Sequence, residues 1–211
     1  MNFQTLKQNY IKGLLATKAI LVKPISEDTF TLRSGKRSPV YFDHSRLALD
    51  PKAYKAFIDA IQYLLKKVYQ EKDFVLCNVD SKISPQMAGS IAYNLNKPQI
   101  IYKTKELTEV EKGQKWQITG ESSWDLPVAI VDDVATSIDG TAKRVGDLVK
   151  TTFSNLTDIQ IFVGVSRNTQ EGTYKKYYLT TEDELIAIIW KDLNEEQQQA
   201  IEKDRSLRNG F

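Results

Sequence analysis

From Pro51 onward the apolar residues Tyr54, Phe57, Ile58, Ile61, Leu64, Leu65 and Val68 recur at spacings of three and four, which predicts a helix with one buried face. Asp50 stands where a cap is needed, and Pro51 takes the first helical position. After this helix, short apolar runs alternate with helical patterns. DFVLCNV (73–79) precedes a helix around Gln86–Asn94, PQIIYK (98–103) and PVAIVDDV (127–134) precede a helix from Gly140 to Val149, and DIQIFVGV (158–165) follows. Strands that alternate with helices predict βαβ units and a parallel sheet.

Two segments break the rhythm. The polar stretch TKELTEVEKGQKWQITGESSWD (104–125) is too long for an ordinary connection and reads as a functional loop with a short hairpin around Trp116–Ile118. At the other end, EDELIAIIWKDLNEEQQQAIEKDRSL reads as two helices, the second very polar. They form a packing or oligomer element in which nothing catalytic is visible. There is no internal repeat and no low-complexity linker.

Composition narrows the class. Hydrophobic residues at 41% and charged residues at 27% describe a folding chain rather than a disordered or collagen-like one, and 211 residues suit one core. Lys and Arg (29) nearly balance Asp and Glu (27), so no global field recommends nucleic acid or an anionic membrane as partner. Any bound anion must be gripped locally. Cys77, the single cysteine, lies in the apolar run FVLC; it reads as a small buried hydrophobe and fits a reducing compartment. Lys7, Gln8 and Lys12 interrupt the opening stretch where a secretory signal would need apolar residues, and the longest apolar run, IAIIW, falls far short of the ~18–20 residues that span a bilayer. A cytoplasmic protein is expected.

The informative segment is VAIVDDVATSIDGTAKRV (128–145), a buried strand that ends in two adjacent carboxylates and runs through small hydroxylated residues into a helix. Backbone N–H groups from Ser137 to Thr141 would face outward at the helix start, where the macrodipole favours an anion, and the hydroxyls of Thr136, Ser137 and Thr141 add donors. Carboxylates at the C-terminal end of a parallel strand lie where such sheets bind ligands, placed to accept from sugar hydroxyls or to reach a hydrated magnesium ion. On spacing alone, an ordinary strand end with an Asp cap explains the segment equally well.

VAIVDDVATS…GT resembles the phosphoribosyl-pyrophosphate signature of the type I phosphoribosyltransferases. TFTLRSGKRSPVYFD (29–43) resembles the N-terminal element of the orotate phosphoribosyltransferases, VDSKISP (79–85) their pyrophosphate loop, and GVSRN (164–168) the strand end whose arginine binds the orotate carboxylate. The similarity runs over roughly residues 10–170 in the expected order. It implies a type I phosphoribosyltransferase-like α/β fold: a parallel sheet flanked by helices, an N-terminal base-binding element (1–45), a core (46–170) and a C-terminal strand with helices (171–211), all in one domain.

The same resemblance implies the chemistry. A phosphoribosyl group passes from phosphoribosyl pyrophosphate to orotate in a magnesium-dependent reaction that inverts the anomeric carbon through an oxocarbenium-like transition state. Carried across, Asp132 and Asp133 bind the ribose hydroxyls, and Thr136 sits near the reaction centre. Ser137, Ile138, Asp139, Gly140 and Thr141 hold the 5′-phosphate, and Lys82 meets the pyrophosphate. Arg33, Tyr41 and Phe42 serve the base, and Arg167 pairs with its carboxylate. Lys103 and Lys105 start a loop that closes over the neighbouring subunit's site, which makes the expected assembly a homodimer. Four departures stand out. Ile83 follows Lys82 where the family has glycine, Ile138 occupies another glycine position beside an extra residue, Arg33 replaces a lysine with a planar fork, and the closing loop lacks the histidine often seen there. His44, the only histidine, lacks companions for a metal cluster and reads as structural or solvent-facing. Two alternatives follow from the departures: a phosphoribosyltransferase for another base, or a non-catalytic binder of phosphoribosyl pyrophosphate with a regulatory role.

Overall fold

The computed structural model describes residues 2–32, 34–102, 125–138, 140–153, 155, 158–170 and 172–209. In chain order the elements begin with α1 (Phe3–Ala16), β1 (Ile20–Val22), β2 (Phe30–Thr31), β3 (Arg37–Ser38), β4 (Val40–Phe42), a 3₁₀ helix (His44–Leu49) and α2 (Pro51–Tyr69). Then follow β5 (Val75–Asn78), α3 (Ser84–Leu95), β6 (Gln99–Ile100), β7 (Val128–Ala135), α4 (Thr141–Thr152), β8 (Ile159–Ser166), β9 (Lys175–Thr181), α5 (Glu182–Ile189) and α6 (Glu195–Asn209). The chain divides into two compact units, residues 1–57 with 180–211 and residues 58–179. This division does not follow the three consecutive segments read from the sequence, because the N-terminal element and the C-terminal helices share one unit. No helix among the described residues is long and apolar enough to cross a membrane.

The unit of residues 58–179 is built on a five-stranded sheet in the order β6-β5-β7-β8-β9. The β5–β6, β5–β7 and β7–β8 pairs are parallel, as the alternation of strands and helices predicts. Val75 and Cys77 of β5, Ile130 of β7 and Ile161 and Val163 of β8 pack with Ala142, Val145 and Val149 of α4. Those helix positions recur at three and four residues, so one face of α4 is apolar and covers the sheet. Cys77 lies in this core, where burial pushes its thiol up to about 12 and leaves it an inert small hydrophobe.

In the other unit, α1 buries Leu6, Tyr10, Gly13 and Leu14 at helical spacing, and Asn2 caps it by accepting from the Thr5 N–H (2.9 Å). Lys7, Gln8 and Lys12 mask the helical spacing in sequence, so α1 is an addition to the elements predicted from it. β1 and β4 pair antiparallel with Leu21 opposite Tyr41, and β2 pairs with β3 with Phe30 opposite Ser38. His44 is buried rather than solvent-facing, its Nε2 lying 2.6 Å from the Tyr10 hydroxyl. Asp50 caps α2 as expected, its carboxylate accepting from the N–H of Lys52 at 2.8 Å.

Candidate active site

From β5 the chain crosses to β6 on one side of the sheet, and from β7 it crosses to β8 on the other. The boundary between β5 and β7 is therefore the point where the winding reverses, and the crevice outside the carboxyl ends of these strands is where such sheets bind ligands. Register places Asn78 beside Val131, so the segment after β5 and the carboxylates of β7 emerge next to each other. Arg167 follows β8 directly, and its N–H donates to the Ala135 carbonyl (2.9 Å), extending the β7–β8 ladder by one bond. Lys82, Asp132, Asp133, residues 136–138 and 140–141, and Arg167 thus belong to the carboxyl ends of three neighbouring strands.

The turn between β5 and α3 keeps its shape without glycine. The buried Ser84 hydroxyl accepts from the Val79 N–H (2.8 Å) and donates to the Val131 carbonyl (2.6 Å), which ties the turn to β7. Ser81 closes the interior, its hydroxyl accepting from the Ser84 N–H at 3.1 Å. Ile83 has φ −121° and ψ −21°, a negative φ that does not call for glycine, and its side chain is buried. The position that is glycine in the resembled family therefore makes no demand here that only glycine can meet. Lys82, between these two anchored residues, is exposed.

Asp132 and Asp133 are not equivalent. Successive side chains of a strand point to opposite faces. Asp132 is buried and accepts from the Asp133 N–H (2.9 Å), while Asp133 is partly exposed. After β7, Thr136, Ser137 and Ile138 lead to Gly140, which precedes the first residue of α4, Thr141. A Cβ on Gly140 would stand 3.3 Å from both the carbonyl and the hydroxyl oxygen of Ser137, so the turn is tight. The second departure, Ile138, is accommodated by Gly172: a Cβ there would come within 2.8 Å of Ile138 Cγ2. The same β8–β9 connection is held to α4 at a second point, where a Cβ on Gly146 would meet the Tyr174 ring at 2.6 Å.

Tyr174 donates to Asp147 (2.9 Å), and Lys143 pairs with the other oxygen of that carboxylate (2.7 Å). The Lys143 ammonium and then the Tyr174 hydroxyl hold the Asp147 carboxyl below its usual range. Burial and then the Asp147 hydrogen bond raise the Tyr174 phenol to about 12, so it remains a donor. Beyond Arg167, the Asn168 carbonyl accepts from the Ser166 hydroxyl (2.6 Å) and from the Lys176 ammonium. Burial lowers the Lys176 pKa.

Of the other residues proposed from the sequence, Tyr41 and Phe42 lie on β4 in the N-terminal unit, Tyr41 partly exposed and Phe42 buried. Tyr41 packs against Phe30 with ring centroids 5.4 Å apart. Arg33, Lys103, Lys105, Asp139 and the hairpin around Trp116–Ile118 lie outside the described residues. Ser84, Gly172, Tyr174 and Asp147 were not singled out from the sequence. Ser84 could have been suspected from its place in a Ser-Pro pair opening a helix, whereas Gly172 and Tyr174 act through long-range packing that local pattern does not encode. Among the described residues no group of three or more His, Cys, Asp or Glu would hold a metal by itself. Two strand-end carboxylates suit a hard cation that keeps most of its ligands as water and substrate phosphate.

No protein-family model matches the chain. The chain is 27% identical to the orotate phosphoribosyltransferase of Methanococcus maripaludis over 160 residues, 74% of this chain and 83% of that protein. It is also 27% identical to the orotate phosphoribosyltransferase of Listeria monocytogenes over 189 residues, 87% of each. The chain is a divergent relative of the orotate phosphoribosyltransferases. The crystal structure of orotate phosphoribosyltransferase from Aeropyrum pernix superposes with a TM-score of 0.64 at 22% identity, covering 86% of this chain and 98% of that one. That likeness establishes the type I phosphoribosyltransferase fold expected from the sequence.

Proposed function

We propose that the protein transfers the phosphoribosyl group of phosphoribosyl pyrophosphate to orotate, giving orotidine 5′-phosphate and pyrophosphate in pyrimidine nucleotide biosynthesis. The observation that carries this reading is the grouping of Lys82, Asp132, Asp133, residues 136–138 and 140–141, and Arg167 at the carboxyl ends of β5, β7 and β8. A ring nitrogen of orotate loses its proton to the departing pyrophosphate or to solvent and forms a bond to the anomeric carbon, as the bond to pyrophosphate breaks and its electron pair leaves with the pyrophosphate oxygen.

Each group then has a task. The start of α4 offers backbone donors to the 5′-phosphate. Asp133, the more exposed carboxylate, takes the ribose hydroxyls with Asp132 behind it. Lys82 meets the pyrophosphate, where its charge stabilises the leaving group. Arg167 forms a charge-assisted pair with the orotate carboxylate, and Arg33, Tyr41 and Phe42 serve the base. Magnesium, entering with the substrate's pyrophosphate, would neutralise part of its charge. In this reading Lys103 and Lys105 complete a partner subunit's site in a homodimer, and the protein works in the cytoplasm without nucleic acid or membrane as partner.

The test is product identification. With magnesium and phosphoribosyl pyrophosphate, orotate should be converted to a species with the mass of orotidine 5′-phosphate, while adenine, hypoxanthine and uracil in parallel reactions stay unchanged. Turnover of another base in place of orotate, or binding of phosphoribosyl pyrophosphate with no turnover, would overturn the reading.

A further inference from the structure

We infer that the C-terminal helix α6 positions the N-terminal segment that carries Tyr41, with Gln197 and Arg208 as its positioning residues for orotate. The inference rests on the proposed role of Tyr41 toward the base. Every contact it uses lies within the unit of residues 1–57 and 180–211.

Helix α6 is very polar, and three of its side chains, Glu196, Gln197 and Arg208, bond the N-terminal element. Gln197 donates from Nε2 to the Val22 carbonyl (2.8 Å) at the end of β1. The neighbouring Glu196 accepts twice, its carbonyl from the Ile25 N–H (3.2 Å) and its carboxylate from the Ser26 hydroxyl (2.6 Å). At the far end, Arg208 donates through Nη1 to the buried Glu182 (2.8 Å) and through Nη2 to Ser38 Oγ of β3 (3.4 Å), with Asp204 bracing the guanidinium. The helix therefore grips the segment at two places.

Those places bracket Tyr41. Val22 pairs with Val40 and Leu21 with Tyr41 across the β1–β4 ladder, so fixing the Val22 carbonyl fixes the register that presents Tyr41. Ser38 lies opposite Phe30, whose ring packs against Tyr41. Lys23 adds a cation 5.0 Å above the Phe30 ring and donates its N–H to the Pro39 carbonyl (2.9 Å). None of these helix residues needs to touch orotate for a change in them to be felt at Tyr41.

Gln197 permits a clean probe. Its Oε1 also accepts from the Asn194 N–H (3.1 Å) at the start of α6, a capping contact that glutamate preserves. Gln197→Glu thus removes the donor to Val22 while keeping the cap. Arg208→Lys keeps the charge but cannot span Glu182 and Ser38 together. Each variant should raise the KM for orotate about three- to tenfold, the size of one lost hydrogen bond, with the KM for phosphoribosyl pyrophosphate within about twofold of wild type. Equal shifts in both constants, or no shift in either, would overturn the positioning role. Absence of orotate turnover in the wild-type protein would instead count against the proposed function. The inference is then read by amide hydrogen exchange, where Gln197→Glu should speed exchange across residues 38–42 and unchanged protection there would overturn it.

Discussion

Asp133, near the end of β7, and Arg167, just after β8, belong to neighbouring strands, yet they should fail differently. Converting Asp132 and Asp133 together to Asn keeps shape and removes charge. Phosphoribosyl-pyrophosphate affinity measured by calorimetry should fall about 10- to 100-fold, the scale of lost charge-assisted hydrogen bonds, with the circular dichroism spectrum unchanged. Retained affinity would remove the sugar-binding role from both. Arg167→Ala should weaken orotate use by a similar factor, about 10- to 100-fold, and leave phosphoribosyl-pyrophosphate affinity near wild type, because the guanidinium is matched to a carboxylate rather than to the sugar phosphate. Equal loss for both ligands would show that the arginine acts on the fold. The placement of these residues at strand ends was legible in the sequence, while the roles proposed for them came only through the family resemblance. The difference between the two aspartates was not, since burial depends on what packs over each face of β7.

The loop that leads from β7 to α4 shows how an element tolerates a departure from its family pattern. Ile138 stands where glycine is usual, and Gly172, far along the chain, leaves the space that its Cγ2 occupies. Gly172→Ala should therefore displace the loop and weaken phosphoribosyl-pyrophosphate binding. The double variant Gly172→Ala, Ile138→Ala should recover affinity, because the new methyl would then meet nothing nearer than the carbonyl oxygen of residue 138 at 3.5 Å, an ordinary contact. Additive loss in the double variant would show that the two positions act independently. Strands β5 to β8 with helices α3 and α4 were readable from periodicity to within a few residues, as were the two C-terminal helices, whereas β9 was given no range of its own. The short strands β1 to β4 and helix α1 were not assigned: two- and three-residue strands carry too little alternation to be seen, and α1 mixes Lys7, Gln8 and Lys12 with its apolar positions. Ile83 looked like a defect in sequence, and the serine hydrogen bonds that make glycine unnecessary become visible only in three dimensions.

One unit of the molecule holds the sheet with Lys82, Asp132, Asp133 and Arg167, and the unit that carries Tyr41 is assembled from both ends of the chain. That joining of termini could not be read from residue order, which suggested consecutive segments. For the proposed homodimer, mixing inactive Lys103→Ala chains with inactive Asp133→Asn chains should restore up to about one intact site per heterodimer, since both defects can fall on the same site. Verified subunit exchange with no return of activity would place Lys103 in its own subunit's site or outside catalysis.

The most direct measurement follows orotate consumption and pyrophosphate release in the same reaction with magnesium and phosphoribosyl pyrophosphate. The strand-end grouping of Lys82, Asp132, Asp133 and Arg167 predicts that the two proceed one for one, that neither occurs without phosphoribosyl pyrophosphate, and that both collapse in the Asp132→Asn, Asp133→Asn variant. Pyrophosphate release that ignores orotate, or tight binding of phosphoribosyl pyrophosphate with no consumption of orotate, would contradict it.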